Sequence, residues 1–365
     1  MTQPWRSRRL RARAFTLLFA AIPVTSILLT PGVVRATDLF QLSEDETSAL
    51  IDKAKAAVVQ VRSGDNGLIL AGSGFFIDDQ GTVLTSSTIL GENTSARVVI
   101  NGVEMDAKII GNDPRSGLAM LKVSYEESPS VPLARTSDLK TGDGVVMIGY
   151  PLNLPVAPSQ GPVSGFDADY LAYLSPKGSV AAVERFATTH IHANVPISPG
   201  QVGGPLLNSR GEVVGLVATS PDNGRSIYAL PVEAMAKIIS DFNLYGHAQH
   251  GWVGVNVLPG SDTAHDGRTV RVVQVIAGSP ASQSGIRPGD TLMRIDAREI
   301  YRPSDVLDAS FFSHVGETMT VVVRRDDKLY DYSFAVIERP QNPGAVTPAV
   351  TGSPNLVNHV AANPP

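Results

Sequence analysis

The sequence predicts an all-β-dominated protein with two folded domains, and three observations carry that expectation. Short apolar segments recur at close intervals between Val58 and Leu230, each bounded by turn residues. Gly 33 and Pro 26 among 365 residues supply the many turns that short-stranded architecture needs. A polar, glycine-containing stretch from Asp241 to His250 then interrupts the pattern before a second β-rich run opens at Gly251. Periodicity leaves barrel and sandwich both open for the first domain. A hydrophobic content of 43% and a charged content of 18% are ordinary for a chain with sizeable cores.

Residues 1–36 read as an export signal. Arg6, Arg8, Arg9, Arg11 and Arg13 form a basic start, Ala14 to Leu29 is mostly apolar, and Val34-Arg35-Ala36 offers small residues at cleavage spacing. The alternative is an uncleaved membrane anchor. With cleavage the mature chain has no span and is periplasmic or otherwise exported, and 37–42 is a short lead-in segment. Cysteine is absent, so no disulfide framework or lipoprotein anchor is expected. Without 1–36 the chain keeps 24 basic against 35 acidic residues, a formal charge of −11. Such an acidic chain with no basic stripe argues against nucleic-acid binding.

The first domain spans 43–240. Ser43 caps a helix through Ala49, Leu50, Ile51 and Ala54. Strands are expected at 58–61, 68–71, 74–77, 83–84, 98–100, 103–105, 107–110 and 118–123, with Asn101-Gly102 as a two-residue hairpin turn. A second set covers 144–148, 161–165, 188–193, 205–207, 213–219 and 228–231, followed by a helix over 232–239.

The chemistry-bearing punctuation lies in three motifs. Ile197 to Asn208 (ISPGQVGGPLLN) packs two glycine turns against a buried strand. Gly72-Ser73-Gly74-Phe75 is followed by Gly81-Thr82-Val83-Leu84-Thr85-Ser86-Ser87-Thr88, and Asp113-Pro114-Arg115-Ser116-Gly117-Leu118-Ala119 comes next. Together they resemble the motifs of the HtrA family of trypsin-like serine proteases. Thr141 to Gly149 and Gly211 to Leu216 resemble further stretches of that family, whereas Asp167 to Phe186 fits poorly. The resemblance implies two six-stranded barrels packed together. It also places Thr88, Gly117 and Val202 where the family carries its histidine, aspartate and serine, with Gly200, Gln201 and Val202 as a remnant oxyanion loop. Valine has no lone pair with which to attack a carbonyl.

The second domain spans 251–338 after a linker at 241–250, and a Pro- and Asn-rich tail covers 339–365. Ser279-Pro280-Ala281 to Gly285-Ile286-Arg287-Pro288-Gly289-Asp290 resembles a bacterial PDZ domain of the HtrA type, a β-sandwich with two short helices. That resemblance implies a groove for peptide C-termini or extended segments, with Trp252, Val253, Gly254 and Val255 at its carboxylate end. Val255, Val257, Leu307 and Phe311 would line it.

The expectation is therefore an exported, catalytically inactive relative of the HtrA proteases, not an enzyme, with no cofactor and no metal. It would bind peptide or protein segments in envelope protein quality control, as a scaffold or regulator. The resemblance adds homo-oligomers (the family forms trimers) or active relatives as partners. The rival reading is a serine endopeptidase using groups outside the three motifs. Ser198 is a nearby hydroxyl, four residues early and without an identified base. His190 and His192 alternate on one strand but lack a third ligand at supporting spacing, and His247 and His250 fall in the linker.

Overall fold

The computed structural model describes residues 44–64, 70–167, 187–260 and 268–340. The export segment, the lead-in at 37–42, the tail from 341 and residues 168–186 lie outside the described residues. A first helix, α1 (Glu44–Lys55), leads into β1 (Val58–Ser63), β2 (Leu70–Phe76) and β3 (Thr82–Ser86). The short α2 (Ser87–Leu90), β4 (Ala96–Ile100), β5 (Val103–Asp113) and β6 (Leu118–Lys122) follow. These six strands close into a barrel in the order β1-β2-β3-β6-β5-β4. Asn101 (φ 51°) and Gly102 (φ 82°) both adopt the left-handed conformation that a two-residue hairpin between β4 and β5 demands.

A second closed barrel comprises β7 (Gly144–Gly149), β8 (Ala157–Asp167), β9 (His190–Ala193), β10 (Pro205–Leu207), β11 (Val213–Thr219) and β12 (Ile227–Pro231). The fold is thus a pair of six-stranded barrels. One apolar cluster joins them, with Phe75, Leu84 and Leu118 of the first meeting Ile148, Leu216 and Leu230 of the second. Helix α3 (Val232–Tyr245) lies on this seam and runs six residues beyond the end read from the sequence. Its apolar face continues through Met235, Ile238 and Phe242 at helical spacing, all buried. Gly111 leaves room for the Phe242 ring, since a Cβ there would lie 2.4 Å from it. Gly246 (φ 76°) ends the helix.

The third unit begins with β13 (Gly251–Trp252) and β14 (Val255–Gly260), then β15 (Thr269–Val275) and α4 (Pro280–Ser284). It continues with β16 (Thr291–Ile295), β17 (Arg298–Glu299), α5 (Pro303–Phe312), β18 (Thr318–Arg325), β19 (Lys328–Ala335) and β20 (Ile337–Glu338). The main path of its sheet is β14-β15-β16-β18-β19, so β14 is an edge strand. Helix α5 begins at Pro303, whose fixed φ suits a first helical turn. The Asp305 carboxylate accepts the N–H groups of Tyr301 (2.9 Å) and Arg302 (2.8 Å), while Ser304 is buried inside the helix.

Two buried polar joints tie this unit to the barrels. His250 donates Nε2–H to Asp113, 3.0 Å from both carboxylate oxygens and 137 residues away in sequence. On α5, Asp308 accepts the Thr188 hydroxyl (2.7 Å) and, from Thr189, the backbone N–H (2.7 Å) and hydroxyl (2.9 Å). Phe311 is 2% exposed and belongs to the barrel cluster, with Lys237 5.1 Å from its ring centroid.

Burial pushes the His190 imidazole down to about 4, and its Nδ1 lies 2.9 Å from the Thr188 carbonyl. The folded state therefore resists protonation that the unfolded chain accepts near its ordinary value of 6.5. Stability is expected to fall as pH drops from about 6.5 toward 4, by up to about 1.4 kcal/mol per unit. Urea denaturation at pH 7 and pH 5 should show a smaller difference for His190→Gln than for the parent.

Candidate functional site

The loop from Ile197 to Asn208 is fixed by glycines that nothing larger can replace. Gly200 (φ 95°) and Gly203 (φ 91°) are left-handed, and a Cβ on Gly203 would sit 2.1 Å from the Ser73 carbonyl oxygen. Ser73 pins the loop to the first barrel: its N–H donates to the Val202 carbonyl (2.8 Å) and its hydroxyl to the Gly200 carbonyl (2.8 Å). Gln201 is 2% exposed and bonds within the loop, its Oε1 accepting Ser198 N–H at 2.8 Å. The Gln201 N–H is spent on the Ser198 carbonyl (3.1 Å). Among the described residues, the N–H groups of Gly200 and Val202 donate to no acceptor.

Contacts with β11 locate the three candidate positions: Ser86, two residues before Thr88, donates to the Ala218 carbonyl, a Cβ on Gly117 would face Ala218, and Gly203, next to Val202, donates its N–H to the Val217 carbonyl. Thr88 is exposed in the first turn of α2, with Oγ1 2.8 Å from Ser86 Oγ, and Ser86 in turn donates to the Ala218 carbonyl (2.8 Å). The Gly117 carbonyl accepts the Ser87 N–H (2.9 Å). Gly117 has φ 82°, and a Cβ there would lie 3.0 Å from Ala218 Cβ. Val202 is half-buried against the first-barrel cluster that includes Ile89. His190 is fully buried and His192 stacks on Tyr228 at 4.7 Å, so the two strand histidines do not converge on a site. No cluster of three or more potential metal-ligating side chains occurs among the described residues.

The second candidate site is a cavity of about 140 Å³ between the edge of β14 and α5. Trp252, Val253, Gly254, Val255, Leu307 and Phe311 all line it, whereas Val257 does not. Trp252 and Phe311 are buried, so they form its floor and the domain joint rather than open contact surface. The Val253 carbonyl accepts Ala281 N–H (3.0 Å) and the Gly254 carbonyl accepts Ile276 N–H (2.8 Å). In planar trans peptides this turns the following N–H groups, on Gly254 and Val255, the opposite way. Val255 pairs with Val275 in a non-hydrogen-bonded position, so its own N–H and C=O face the open edge. Gly254 has φ 79°, and a Cβ there would meet Ser279 Cβ at 2.1 Å.

Two packed six-stranded barrels with this loop at their seam, followed by a sheet with an open edge beside a helix, define a trypsin-like peptidase domain joined to a PDZ domain. Residues 72–216 match the trypsin-like peptidase domain family and residues 251–336 the PDZ domain family. The chain belongs to the HtrA family of serine proteases. It is 27% identical over 275 residues to the putative serine protease HhoB of Synechocystis, covering 70% of this chain and 64% of that one. It is 29% identical over 303 residues to a probable periplasmic serine endoprotease (DegP-like) of Hahella chejuensis, covering 80% and 62%. The chain thus spans about three fifths of the length of these curated relatives. Among solved structures, the HtrA-type protease AlgW with a tripeptide superposes with a TM-score of 0.68 at 23% identity, covering 81% of this chain and 98% of that one. The serine endoprotease from Yersinia pestis gives 0.60 at 23% identity, covering 82% and 99%.

These comparisons correct one expectation. The chain was read as not an enzyme, yet its relatives are named serine proteases and serine endoproteases. Three side chains are not the whole of such a site: its oxyanion donors are backbone N–H groups positioned by glycines, and no side-chain letter reports on them.

Gly117 generates a stability prediction. Gly117→Asp places a side chain on a left-handed residue facing Ala218 and should cost about 1–2 kcal/mol. Ala218→Gly in the same chain should relieve the contact but not the backbone strain. Urea midpoints of the single and double variants measure both parts.

Proposed function

We propose that the protein is an exported, periplasmic serine endopeptidase of the HtrA type. It captures polypeptide ends or extended segments in its PDZ groove and hydrolyses peptide bonds slowly at the barrel seam. The observation that carries the hydrolytic reading is the pair of unengaged N–H groups on Gly200 and Val202, held in a loop that cannot relax. Donors so fixed would stabilise a tetrahedral oxyanion without moving. The basic start and apolar run before Ala36, together with relatives named periplasmic, support the location. No helix among the described residues is long and apolar enough to cross a membrane.

Val202 offers no nucleophile, so the attacking oxygen comes from another hydroxyl. The exposed Thr88 Oγ1 and the half-buried Ser198 Oγ are the candidates. Among the described residues neither has an imidazole partner, and that would set the rate. A serine protease stripped of its triad partners keeps only about 10³–10⁴-fold acceleration over water from the oxyanion site and binding. Turnover is therefore expected about 10⁴-fold or more below that of a family member with serine, histidine and aspartate in place.

Capture uses β14. Its Val255 backbone would add a ligand strand antiparallel to the sheet edge, and the turn at Gly254 and Val255 would take a terminal carboxylate. Val253 and Leu307 would supply the apolar wall.

Casein cleavage by the purified chain should be slow and fall in Thr88→Ala or Ser198→Ala, with a fluorophosphonate probe marking the same residue. No cleavage above buffer after long incubation would sink the hydrolytic part. Val202→Ser by itself should raise turnover less than about tenfold, because no base takes its proton. For capture, Leu307→Lys should abolish binding of C-terminal peptides while Val202→Ala leaves it intact, with circular dichroism confirming the fold. Equal binding by Leu307→Lys would remove the groove from the account.

A further inference from the structure

The PDZ sheet has a second free edge, on the side away from the groove. Strand β19 ends the path β14-β15-β16-β18-β19 and pairs with β18 from Lys328 to Ala335 without a register shift. It contains no proline and no glycine, and Tyr330, Tyr332 and Phe334 are strand-favouring residues. These three pack half-buried on the domain core, and Tyr330 stacks on Tyr332 with ring centroids 6.4 Å apart.

The hairpin fixes which backbone groups of β19 face outward. Asp326 and Asp327 (φ 49° and 61°) make the two-residue turn, so Arg325 and Lys328 form a hydrogen-bonded pair. Such pairs recur at every second residue. The same register carried one step past the strand agrees, since Val336 N–H donates to the Glu317 carbonyl (2.8 Å). Even-numbered residues therefore bond to β18. The N–H and C=O groups of Leu329, Asp331, Ser333 and Ala335 point outward, and among the described residues they take no partner.

We propose that this edge pairs with its own copy, antiparallel, about a two-fold axis at Tyr332. The strand's own residues select that register. With Tyr332 opposite Tyr332, Leu329 meets Ala335 and Asp331 meets Ser333, so every outward backbone group is bonded and the carboxylate faces a hydroxyl. On the other face Tyr330 meets Phe334 beside the Tyr332 pair. Those positions are non-hydrogen-bonded, where side chains lie closest and aromatic pairs stabilise the ladder. Sliding two residues one way sets Asp331 against Asp331, a like-charge pair. Sliding two the other way sets Leu329 against Ile337, which is already paired with Trp252. A slide of one residue turns outward groups toward groups committed to β18. The strand is thus complementary to itself, which makes a second copy of this chain the partner. Such a contact is isologous and cannot by itself close a ring of three. One added strand buries little surface, so association is weak and concentration-dependent.

Sedimentation velocity of the full chain over a concentration series should show the weight-average mass rising about twofold or more. Asp331→Pro removes an outward donor that β18 does not use, a place where an edge strand tolerates proline, and should abolish the rise. Circular dichroism confirms the fold. Oxidative cross-linking reads the register, since the chain has no cysteine of its own. Tyr332→Cys should give a disulfide-linked dimer. Because Tyr332 is half-buried, a second route uses exposed positions: Leu329→Cys copies mixed with Ala335→Cys copies. The mixture should cross-link at least about tenfold faster than either variant alone, whose cysteines would lie about 20 Å apart in the paired edge. A mass that does not rise, or a rise that persists in Asp331→Pro, overturns the inference. So does a mixture that cross-links no faster than the single variants.

Discussion

A buried carboxylate has to be met, and two such groups hold this molecule together. Asp113 and Asp308 are each less than 9% exposed, and each finds its partners across a domain boundary. Removing one partner leaves a buried carboxylate short of a hydrogen bond, typically at a cost of about 1–3 kcal/mol or more. The pairing therefore specifies orientation: the PDZ domain packs where His250 reaches Asp113 and where α5 brings Asp308 to Thr188 and Thr189. Helix α5 then serves two faces, Phe311 sealing the barrel side and Leu307 turned to the groove.

The barrel seam obeys a different constraint, backbone crowding. Gly200, Gly203 and Gly204 each face a carbonyl oxygen closer than a Cβ could tolerate. The loop's shape is thus independent of residue 202, which explains how a valine can stand there without disturbing Ser73, Tyr150 or Val217 around it. Loop geometry is thereby separated from side-chain identity, so the backbone donors keep their positions whichever residue stands at 202.

Much of the scaffold was legible in sequence because its signals are local. Asn101-Gly102 marked a hairpin, and the apolar runs of both barrels alternate with turn residues as strands should. Features built from distant residues were not. His250 looked like part of a polar linker because its partner lies 137 positions away. Helix α3 ran on because Phe242 has a slot beside Gly111, which no local pattern reveals. Phe311 read as groove lining and turned out to be shared with the barrel cluster. The expectation of a non-enzyme failed in the same way, by treating letters as the whole of a site made partly of peptide groups.

An open sheet edge is also a hazard, because it can template association with any extended chain, including another copy of itself. Strand β14 limits that risk by its own irregularity. Its register shifts between Asn256 and Val257, and Pro259 has no N–H to give. An incoming chain that pairs beside Val255 therefore meets a change of register within two residues and a missing donor at Pro259. Those two interruptions shorten the run over which copies of this strand could stack edge to edge.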